Sequence, residues 1–334
     1  MAKPKEIPGL DCGADVSAGV RLVLLARFDE MCEYAAAALE GADIEGVHDM
    51  RVASRRLRSA LRDFKPHLRG GKRLDAAREA LERLAAALGA VRDEDVAIHA
   101  LEKLREEAPP ETLAGIEEYA GERRARRAGA RAELAGAVDE ESLAEARRLL
   151  ARALEGGGAA RGPKKGGPGA RGAGGVTFEA ALVVVVRRLW DELAELSTSL
   201  YRPRKARRLH EMRIAAKRLR YALELLEGCR RDGVAKGLAS EVADLQGALG
   251  NLHDCDVWAE DLGGQMSGDG GGSPAGVAAE RREAVNWLLG HFVEKRAGHY
   301  REALALWRAW ERGGFAARLA GGEEVSGSEF RVSS

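Results

Sequence analysis

Apolar residues recur through most of the chain at intervals of three and four, which is the repeat of an α-helix that buries one face. The pattern predicts eight helical segments separated by polar, glycine-rich or proline-containing stretches. They lie near 16–41, 47–66, 72–106, 111–154, 176–201, 205–230, 234–262 and 277–313. Pro109 and Pro110 mark a stop between the third and fourth segments, and Asp139 is positioned to cap a new helix within the fourth.

Strand-forming sequence is nearly absent. The exception is the run Val183–Val186, but the apolar and charged positions around it fit a buried helix better than a strand. Alanine, leucine, arginine and glutamate dominate the composition, and all four favour helices. The chain has 334 residues, enough to bury a substantial core. We therefore predict an all-α fold.

Two glycine-rich stretches interrupt the helical pattern. Residues 155–175 contain too much glycine and proline for a helix and predict a flexible basic linker, and residues 263–276 predict a flexible loop. The end of the chain after Gly321 is expected to fray. The resulting division is an N-terminal helical bundle at 1–155, a linker at 156–175, a C-terminal helical bundle at 176–320 and a flexible tail at 321–334.

The two halves of the chain carry the same two motifs in the same order. The first motif is "VHDMRVASRRLRSALRDF" from Val47 and "LHEMRIAAKRLRYALELL" from Leu209. The second motif is "LGAVRDEDV" from Leu88 and "LGNLHDCDV" from Leu249. The offsets between copies are 162 and 161 residues, which predicts an internal duplication. The simplest architecture is two four-helix bundles related by an approximate two-fold axis.

The first motif separates apolar from basic residues on one helix. At about 100° per residue, one face carries the apolar positions Met50, Ala53, Leu57, Leu61 and Phe64. A second face, about 130° away, carries a basic stripe roughly 21 Å long. This stripe consists of His48, Arg51, Arg55, Arg58 and Arg62, with Arg56 inclined toward the other flank. Like charges at this spacing repel one another, so the stripe predicts an anionic partner.

The second copy repeats the stripe with one charge fewer. Its members are His210, Arg213, Lys217 and Arg220, while Arg218 matches Arg56 and Glu224 replaces the fifth position. Basic residues of later helices are candidates to extend the same surface, namely Arg124, Arg127 and Arg296. For these three, a solvated helix face is an equally good explanation. For the stripes, the plain alternative is a helical scaffold whose arginines pair with the chain's own carboxylates.

The chain as a whole has no net charge, because 53 basic side chains balance 53 acidic ones. Anion binding must therefore depend on local segregation of charge and not on the field of the whole molecule. The four cysteines form no C-x-x-C pair, and we expect reduced thiols in a cytosolic protein. No apolar signal region and no run of about 18 apolar residues is present, so we expect a cytoplasmic protein without a membrane span.

These motifs and their repetition resemble the conserved histidine α-helical domain, or CHAD domain, over roughly residues 16–313. The resemblance implies two four-helix bundles in pseudo-symmetry and binding of inorganic polyphosphate along a basic surface or channel between them. Carried over by position, it implies the ligands His48, Arg51, Arg55, Arg56, Arg58, His210, Arg213, Lys217, Arg218 and Arg220. Arginine suits this role, because its planar guanidinium makes paired contacts with phosphate oxygens. Polyphosphate granules are then a candidate location.

Signatures of other chemistry are weak. The aspartates of "RDED" and "HDCD" stand two residues apart and point apart on a continuous helix. We expect them to pair with the stripes or to cap helix breaks near Gly89 and Gly250, and we expect no metal. "GPGARG" lacks the strand that precedes a phosphate-binding loop. The E-x-E-x-K signature of the triphosphate tunnel domain, to which some CHAD domains are fused, is absent. We therefore expect no catalytic residues and no cofactor.

Two other functions remain open beside polyphosphate binding and the scaffold. A phosphate-processing enzyme would need carboxylates that hold Mg²⁺ near the arginines. A nucleic-acid-binding module would use the same positive charges. Aromatic side chains on which bases could stack are scarce near the stripes, so we expect nucleic acid only as a weaker electrostatic competitor.

Overall fold

The computed structural model describes residues 4–41, 44–68, 71–155, 175–267 and 279–321, and within these ranges the chain forms helices and no β-strand. The all-α prediction is confirmed. The helices are α1 (Val16–Glu33), α2 (Ala35–Glu40), α3 (Ile44–Asp63), α4 (Lys72–Leu104), α5 (Leu113–Ala137), α6 (Glu140–Glu155), α7 (Phe178–Leu196), α8 (Ala206–Arg230), α9 (Val234–Ser267), α10 (Ala279–Arg312) and α11 (Phe315–Gly321). Apart from Gly175 and Gly321, the predicted linker and tail lie outside the described residues.

Two of the predicted segments are each divided into two helices. The first divides at Tyr34, where α1 ends and α2 begins. The fourth divides between α5 and α6, where the backbone N–H of Ser142 donates to Asp139 Oδ1 at 2.7 Å. This bond satisfies one of the open N–H groups in the first turn of α6. The predicted cap at Asp139 is therefore confirmed.

Helices α4 and α9 are continuous where the sequence allowed a break. Both run through the glycines of the second motif, Gly89 and Gly250, so the alternative of a helix break there was wrong. Helix α9 also continues to Ser267, past the predicted start of a loop at Gly263. A glycine costs a helix about 1 kcal/mol relative to alanine, and the packing of a long helix outweighs that cost. The remainder of the predicted loop, 268–276, lies outside the described residues.

The valine run that resembled a strand lies in α7, as predicted. Val185 and Val186 are buried, but Val184 is 64% exposed, so the helix is buried on one face only. No helix in the described part of the chain, α7 included, is both long and apolar enough to cross a lipid bilayer. At the other end of the chain, α11 was not predicted, and its Phe315 stacks on Trp310 with ring centroids 4.2 Å apart.

The apolar face of α3, together with Phe64 directly after the helix, enters a core that both halves of the chain build. Met50, Leu57 and Phe64 are at most 1% exposed, which confirms the predicted core face. The ring of Phe64 stacks on Phe178 of α7 with centroids 5.5 Å apart. Gly19 of α1 lies so close to Phe178 that a Cβ there would fall 2.6 Å from the ring. The two predicted bundles therefore share one hydrophobic core, and their two-fold relationship stays a prediction.

A second, smaller apolar cluster joins the halves near the ends of the long helices α4 and α9. Tyr119 of α5 packs edge to face on Trp258 of α9 with centroids 6.0 Å apart, and Trp258 stacks on Phe292 of α10 at 4.6 Å. The halves also meet where α1 contacts α7 and where α3 contacts α8. These contacts hold the two helices of the first motif, α3 and α8, beside each other.

A disulfide joins Cys12 to Cys229, so the expectation that all four cysteines are reduced was wrong. Cys32 and Cys255 are free thiols. The pairing could not be predicted from the sequence because 217 residues separate the two cysteines. Only the fold brings the segment before α1 to the C-terminal end of α8.

Candidate polyanion-binding cleft

The basic stripe of α3 lies apart from the core, as its helical spacing predicts. Arg51, Arg55 and Arg58 are partly exposed and Arg62 is exposed, whereas Leu57 between them is buried. The guanidinium groups are therefore carried along one side of a helix whose other side is fixed in the core. This attachment gives the stripe a defined position.

A cleft of about 340 Å³ is lined by part of each stripe, whereas His48, Arg51, His210, Arg213 and Arg220 lie outside its lining. Helix α3 contributes Arg55, Arg58 and Arg62 to its lining, and α8 contributes Lys217. Helix α4 adds Arg78, which lies outside both motifs and was not predicted. Cationic side chains from both halves of the chain therefore surround one opening.

The crowding of positive charge is greatest where α3 and α8 approach each other. Burial, followed by the charges of Arg213, Arg55 and Arg51, lowers the pKa of Lys217 to about 6. Burial also lowers the pKa of Arg55 and of Arg213, and Arg213 lies near Arg55 and Arg51 of the opposite stripe. Like charges in a partly buried site repel each other, and an anion that enters the cleft would relieve this repulsion.

Several guanidinium N–H groups of the stripes and their surroundings lack a hydrogen-bond partner. The Nε atoms of Arg55 and Arg213 and the Nη1 atom of Arg92 are buried and form no hydrogen bond within the described residues. A buried donor that is left unpaired costs about 1–3 kcal/mol. Phosphate oxygens are strong acceptors for guanidinium groups, so a phosphate ligand would supply the partners that the protein does not.

The first aspartate of each second-motif copy lies beside a stripe. Arg51 Nη2 donates to Asp93 Oδ1 at 3.2 Å, which confirms the expected pairing of this aspartate with the stripe. Asp254 occupies the matching position in α9, near Arg213 and Lys217, and burial raises the pKa of its carboxyl. The two carboxylates partly neutralise the cations in the free protein, so an anionic ligand must compete with them.

The histidines at the start of the two stripes face the second motif of their own half. Burial, followed by the charge of Arg92, lowers the pKa of His48. His210 Nδ1 lies 3.2 Å from Nδ1 of His253. Burial, followed by Arg213, lowers the pKa of His253 to about 4. Arg92 and His253 hold the same motif position, and their contacts with the stripes were not predicted because they depend on helix packing.

Arg56 and Arg218, the two matching arginines beside the stripes, are held in ion pairs that cross between the halves. Arg56 Nε donates to Glu224 Oε2 of α8 at 3.1 Å, and Arg56 is only 4% exposed. Arg218 Nη2 donates to Asp63 Oδ1 of α3 at 2.5 Å, and Arg218 Nη1 donates to Glu192 Oε2 at 2.7 Å. Arg218 also borders the cleft, whereas Arg56 does not.

The fourth basic residue of the second stripe, Arg220, is also buried. Its guanidinium lies over the ring of Tyr221 at 4.9 Å and its Nη1 is 3.7 Å from Glu224 Oε1. The corresponding residue of the first stripe, Arg58, lines the cleft. The two stripes therefore differ, and α3 presents more charge to the cleft than α8 does.

The late-helix arginines are paired with carboxylates outside the cleft lining. Arg127 Nε donates to Asp95 Oδ1 at 2.5 Å, and Arg296 Nε donates to Asp256 Oδ1 at 2.5 Å. Arg124 Nη1 donates to a glutamate of its own helix at 2.8 Å. Asp95 and Asp256 are the second aspartates of the second motif, and they lie about 160° around the helix from the first. One aspartate of each pair therefore faces a stripe and the other faces a late helix.

One group of three possible metal ligands lies close together in the described residues. It comprises Glu45, His48 and Asp49, whose ligand atoms are all within 4.8 Å of one another. All three belong to the beginning of α3, and Glu45 is exposed. Exposed acidic groups commonly lie together without an ion, and we assign no metal to this group.

The chain matches the CHAD domain over residues 22–263, a span that includes both copies of both motifs. The chain belongs to the CHAD domain family. The matched region ends within α9, so α10 and α11 of this CHAD protein lie beyond it.

Two solved structures share the fold of this CHAD protein. The crystal structure of the CHAD domain from the plant Ricinus communis has a TM-score of 0.66 at 24% identity and covers 94% of each chain. PptA from Streptomyces chartreusis has a TM-score of 0.64 at 14% identity and covers 88% of this chain and 100% of that chain. At these identities the likeness concerns the arrangement of helices alone. A search of curated proteins finds no match.

Proposed function

We propose that this CHAD protein binds inorganic polyphosphate in the cleft between α3 and α8. The observation that carries the proposal is the convergence of basic side chains from both halves on one opening. Membership of a family associated with polyphosphate supports it. The ligands that we assign are His48, Arg51, Arg55, Arg58, Arg62, Arg78, His210, Arg213 and Lys217.

The chemistry of the cleft suits a flexible chain of phosphates. Such a ligand has closely spaced charges and no bases, so it calls for several charged donors at regular intervals and not for a shaped pocket. The helical spacing of Arg51, Arg55, Arg58 and Arg62 provides these intervals. Guanidinium groups remain charged at all physiological pH values and contact phosphate oxygens in pairs.

The remaining predicted ligands have supporting roles in this proposal. Arg56 and Arg218 join α3 to α8 through Glu224 and Asp63, and so fix the distance between the stripes. Arg220, at the end of the second stripe, is buried against Tyr221 and Glu224. The late-helix arginines Arg124, Arg127 and Arg296 hold helices in place through their carboxylate partners.

Nucleic acid fits the cleft less well. Among the described residues that line it, Tyr221 is the single aromatic one. Tyr221 is 6% exposed and lies against Arg220, so it offers no free face on which a base could stack. Nucleic acid can still compete through its phosphates, and its binding should be weaker at equal salt.

We propose binding without turnover. A phosphate-processing enzyme is favoured by one observation, the presence of Asp93 and Asp254 near the arginines, since carboxylates can hold Mg²⁺. The proposal predicts no release of inorganic phosphate when purified protein is incubated with polyphosphate and Mg²⁺. Release that depends on Mg²⁺ and is lost in Asp254→Asn would establish the enzyme instead.

The direct experiment is a titration with polyphosphates of defined length at several salt concentrations, with RNA as the competitor. Because bound phosphates displace counterions, the logarithm of affinity should fall linearly with the logarithm of salt concentration. RNA that binds as tightly as polyphosphate at the same salt would favour a nucleic-acid-binding module. A fluorescent fusion of the protein should also co-localise with polyphosphate granules.

A further inference from the structure

Lys217 differs from every other cation of the cleft in its chemistry. It lies on α8, lines the cleft and is partly buried. Its ammonium nitrogen forms no hydrogen bond or ion pair with any described residue. Unlike arginine, the other cation of the cleft lining, lysine has a neutral form that is a good nucleophile.

The surroundings of Lys217 favour a neutral amine. The cations around it are Arg51, Arg55, Arg58 and Arg62 on α3, Arg78 on α4, and Arg213 and Arg218 on α8. The carboxylates are Glu82 on α4 and Asp254 on α9, and the other titratable groups are Tyr221, His210 and His253. The cations outnumber the carboxylates, and burial, followed by the charges of Arg213, Arg55 and Arg51, lowers the pKa of Lys217 to about 6. Near pH 7 most of the protein therefore carries an uncharged amine at this position.

The same arginines attract phosphate groups into the space beside this amine. A small molecule with a phosphate next to an electrophilic carbon would place its phosphate on the guanidinium groups and its electrophile near Nζ. We propose that Lys217 is a site of covalent acylation by acyl phosphates, which the arginines of the cleft bind through the phosphate group. This inference shares with the proposed function only the attraction of the cleft for phosphate.

The reaction balances without any additional reagent. The lone pair of Lys217 Nζ attacks the carbonyl carbon of the acyl phosphate and forms a C–N bond. The C–O bond to phosphate breaks, inorganic phosphate leaves with the electron pair, and Nζ releases a proton to water. The product is an amide, which cannot become charged and which fills part of the cleft. Acylation should therefore weaken polyphosphate binding.

The test uses acetyl phosphate on the folded, full-length protein at pH 7, 8 and 9, with acetylation of each lysine measured by mass spectrometry. Exposed lysines such as Lys236 and Lys295 serve as internal references. At pH 7 the fraction of free amine should be on the order of a thousandfold larger at Lys217 than at an ordinary lysine. We expect Lys217 to react at least about tenfold faster at pH 7. The ratio of the Lys217 rate to the rate of the reference lysines should then fall by about tenfold per pH unit, because only the reference lysines are still losing protons.

Two controls separate amine reactivity from phosphate recognition. A neutral acetylating ester should also favour Lys217 at pH 7, but less strongly than acetyl phosphate does. In Arg55→Gln at pH 9, where the amine is free in both proteins, the rate with acetyl phosphate should fall and the rate with the neutral ester should not. Circular dichroism confirms that the variant is folded.

The inference is overturned if Lys217 reacts no faster than Lys295 at pH 7, or if both rates rise in parallel with pH. It is also overturned if Arg55→Gln slows both reagents equally at pH 9. Added polyphosphate should protect Lys217. If Lys217 is reactive but polyphosphate does not protect it, the proposed function is contradicted and the inference stands. If polyphosphate binds tightly but Lys217 is inert, the inference is contradicted and the proposed function stands.

Discussion

Neighbouring residues of the first motif have different surroundings because successive positions on a helix point about 100° apart. Arg55 lines the cleft and has a buried Nε without a partner, whereas Arg56 is buried in an ion pair with Glu224. The two arginines are identical in type and adjacent in sequence. We therefore expect substitution of Arg55 to affect ligand binding and substitution of Arg56 to affect stability.

We expect Arg55→Gln to weaken polyphosphate binding and to reduce the salt slope by about 1, because one phosphate contact is lost. Its free energy of unfolding should be unchanged or slightly higher, since a repelling charge is removed. Arg56→Gln should lower the free energy of unfolding by about 2 kcal/mol, because partly buried Glu224 loses a partner. Its salt slope should remain that of the parent protein. Urea unfolding and salt titration measure both quantities, and equal effects of the two changes on the slope would refute the assignment.

Polyphosphate binding should take up a proton at Lys217. In the free protein its pKa is about 6, so the amine is neutral above that pH, and bound phosphate favours the charged form. Affinity should therefore rise as the pH falls from 8 toward 6, by at most about tenfold per pH unit. Calorimetry in two buffers with different ionisation enthalpies measures the uptake directly.

Lys217→Arg provides the matched control, because arginine keeps its charge throughout this pH range. The variant should bind polyphosphate with a smaller dependence on pH between 6 and 8, because only the histidine ligands would still take up protons there. Unchanged proton uptake in Lys217→Arg would place the titrating group elsewhere.

At the scale of the helices, the local sequence pattern predicted the features that depend only on residues close together in the chain. The spans of α3 and α8, the core face of Met50 and Leu57 and the cap at Asp139 all follow from helical period and capping chemistry. The ion pairs of Arg56 and Arg218 could not be predicted in the same way. They depend on how one helix approaches another more than a hundred residues away in the chain.

The residues that line the cleft could not be predicted from the local sequence pattern either. Arg78 lines it but belongs to no motif, and its place depends on the angle at which α4 packs beside α3. Conversely, Arg127 and Arg296 are basic residues that were expected to extend the stripes, but they form ion pairs with Asp95 and Asp256. Repeated motifs therefore located the two stripes, and tertiary packing selected which of their residues face a ligand.

Helix α7 offers a direct test of the core that the two halves share. Phe178→Ala should lower the free energy of unfolding by about 3–5 kcal/mol, because the ring packs against Phe64 and against Gly19 across the two halves. Val184→Ala on the same helix is the control and should change it by less than about 0.5 kcal/mol, since Val184 is exposed. A single cooperative unfolding transition in urea is expected. A Phe178→Ala protein in which one half unfolds while the other stays folded would contradict a shared core.

At the scale of the whole molecule, the chain closes on itself through the disulfide between Cys12 and Cys229. This link ties the segment before α1 to the end of the helix that carries the second stripe. The expectation of reduced thiols failed because cysteine spacing carries no information about pairing over such a distance.

Cys12→Ser should lower the free energy of unfolding by about 2–4 kcal/mol, because the cross-link restricts the unfolded chain. A thiol reductant should destabilise the parent protein by a similar amount and leave Cys12→Ser unaffected. Cys32→Ser, which alters a free thiol, should keep the parent's sensitivity to reductant. Equal stability of the parent protein with and without reductant would show that the link contributes nothing to folding.

We propose that stripes from both halves of the chain hold one polyanion in one cleft. The measurement that tests it most directly is a polyphosphate titration of the parent protein, Arg51→Glu and Arg213→Glu across a range of salt concentrations. We predict one polyphosphate chain per protein, and a loss of affinity of about tenfold or more with a smaller salt slope in each variant. Circular dichroism should show unchanged helicity, because both side chains lie apart from the core. Folded Arg51→Glu and Arg213→Glu proteins that retain the parent's affinity and salt slope would contradict it.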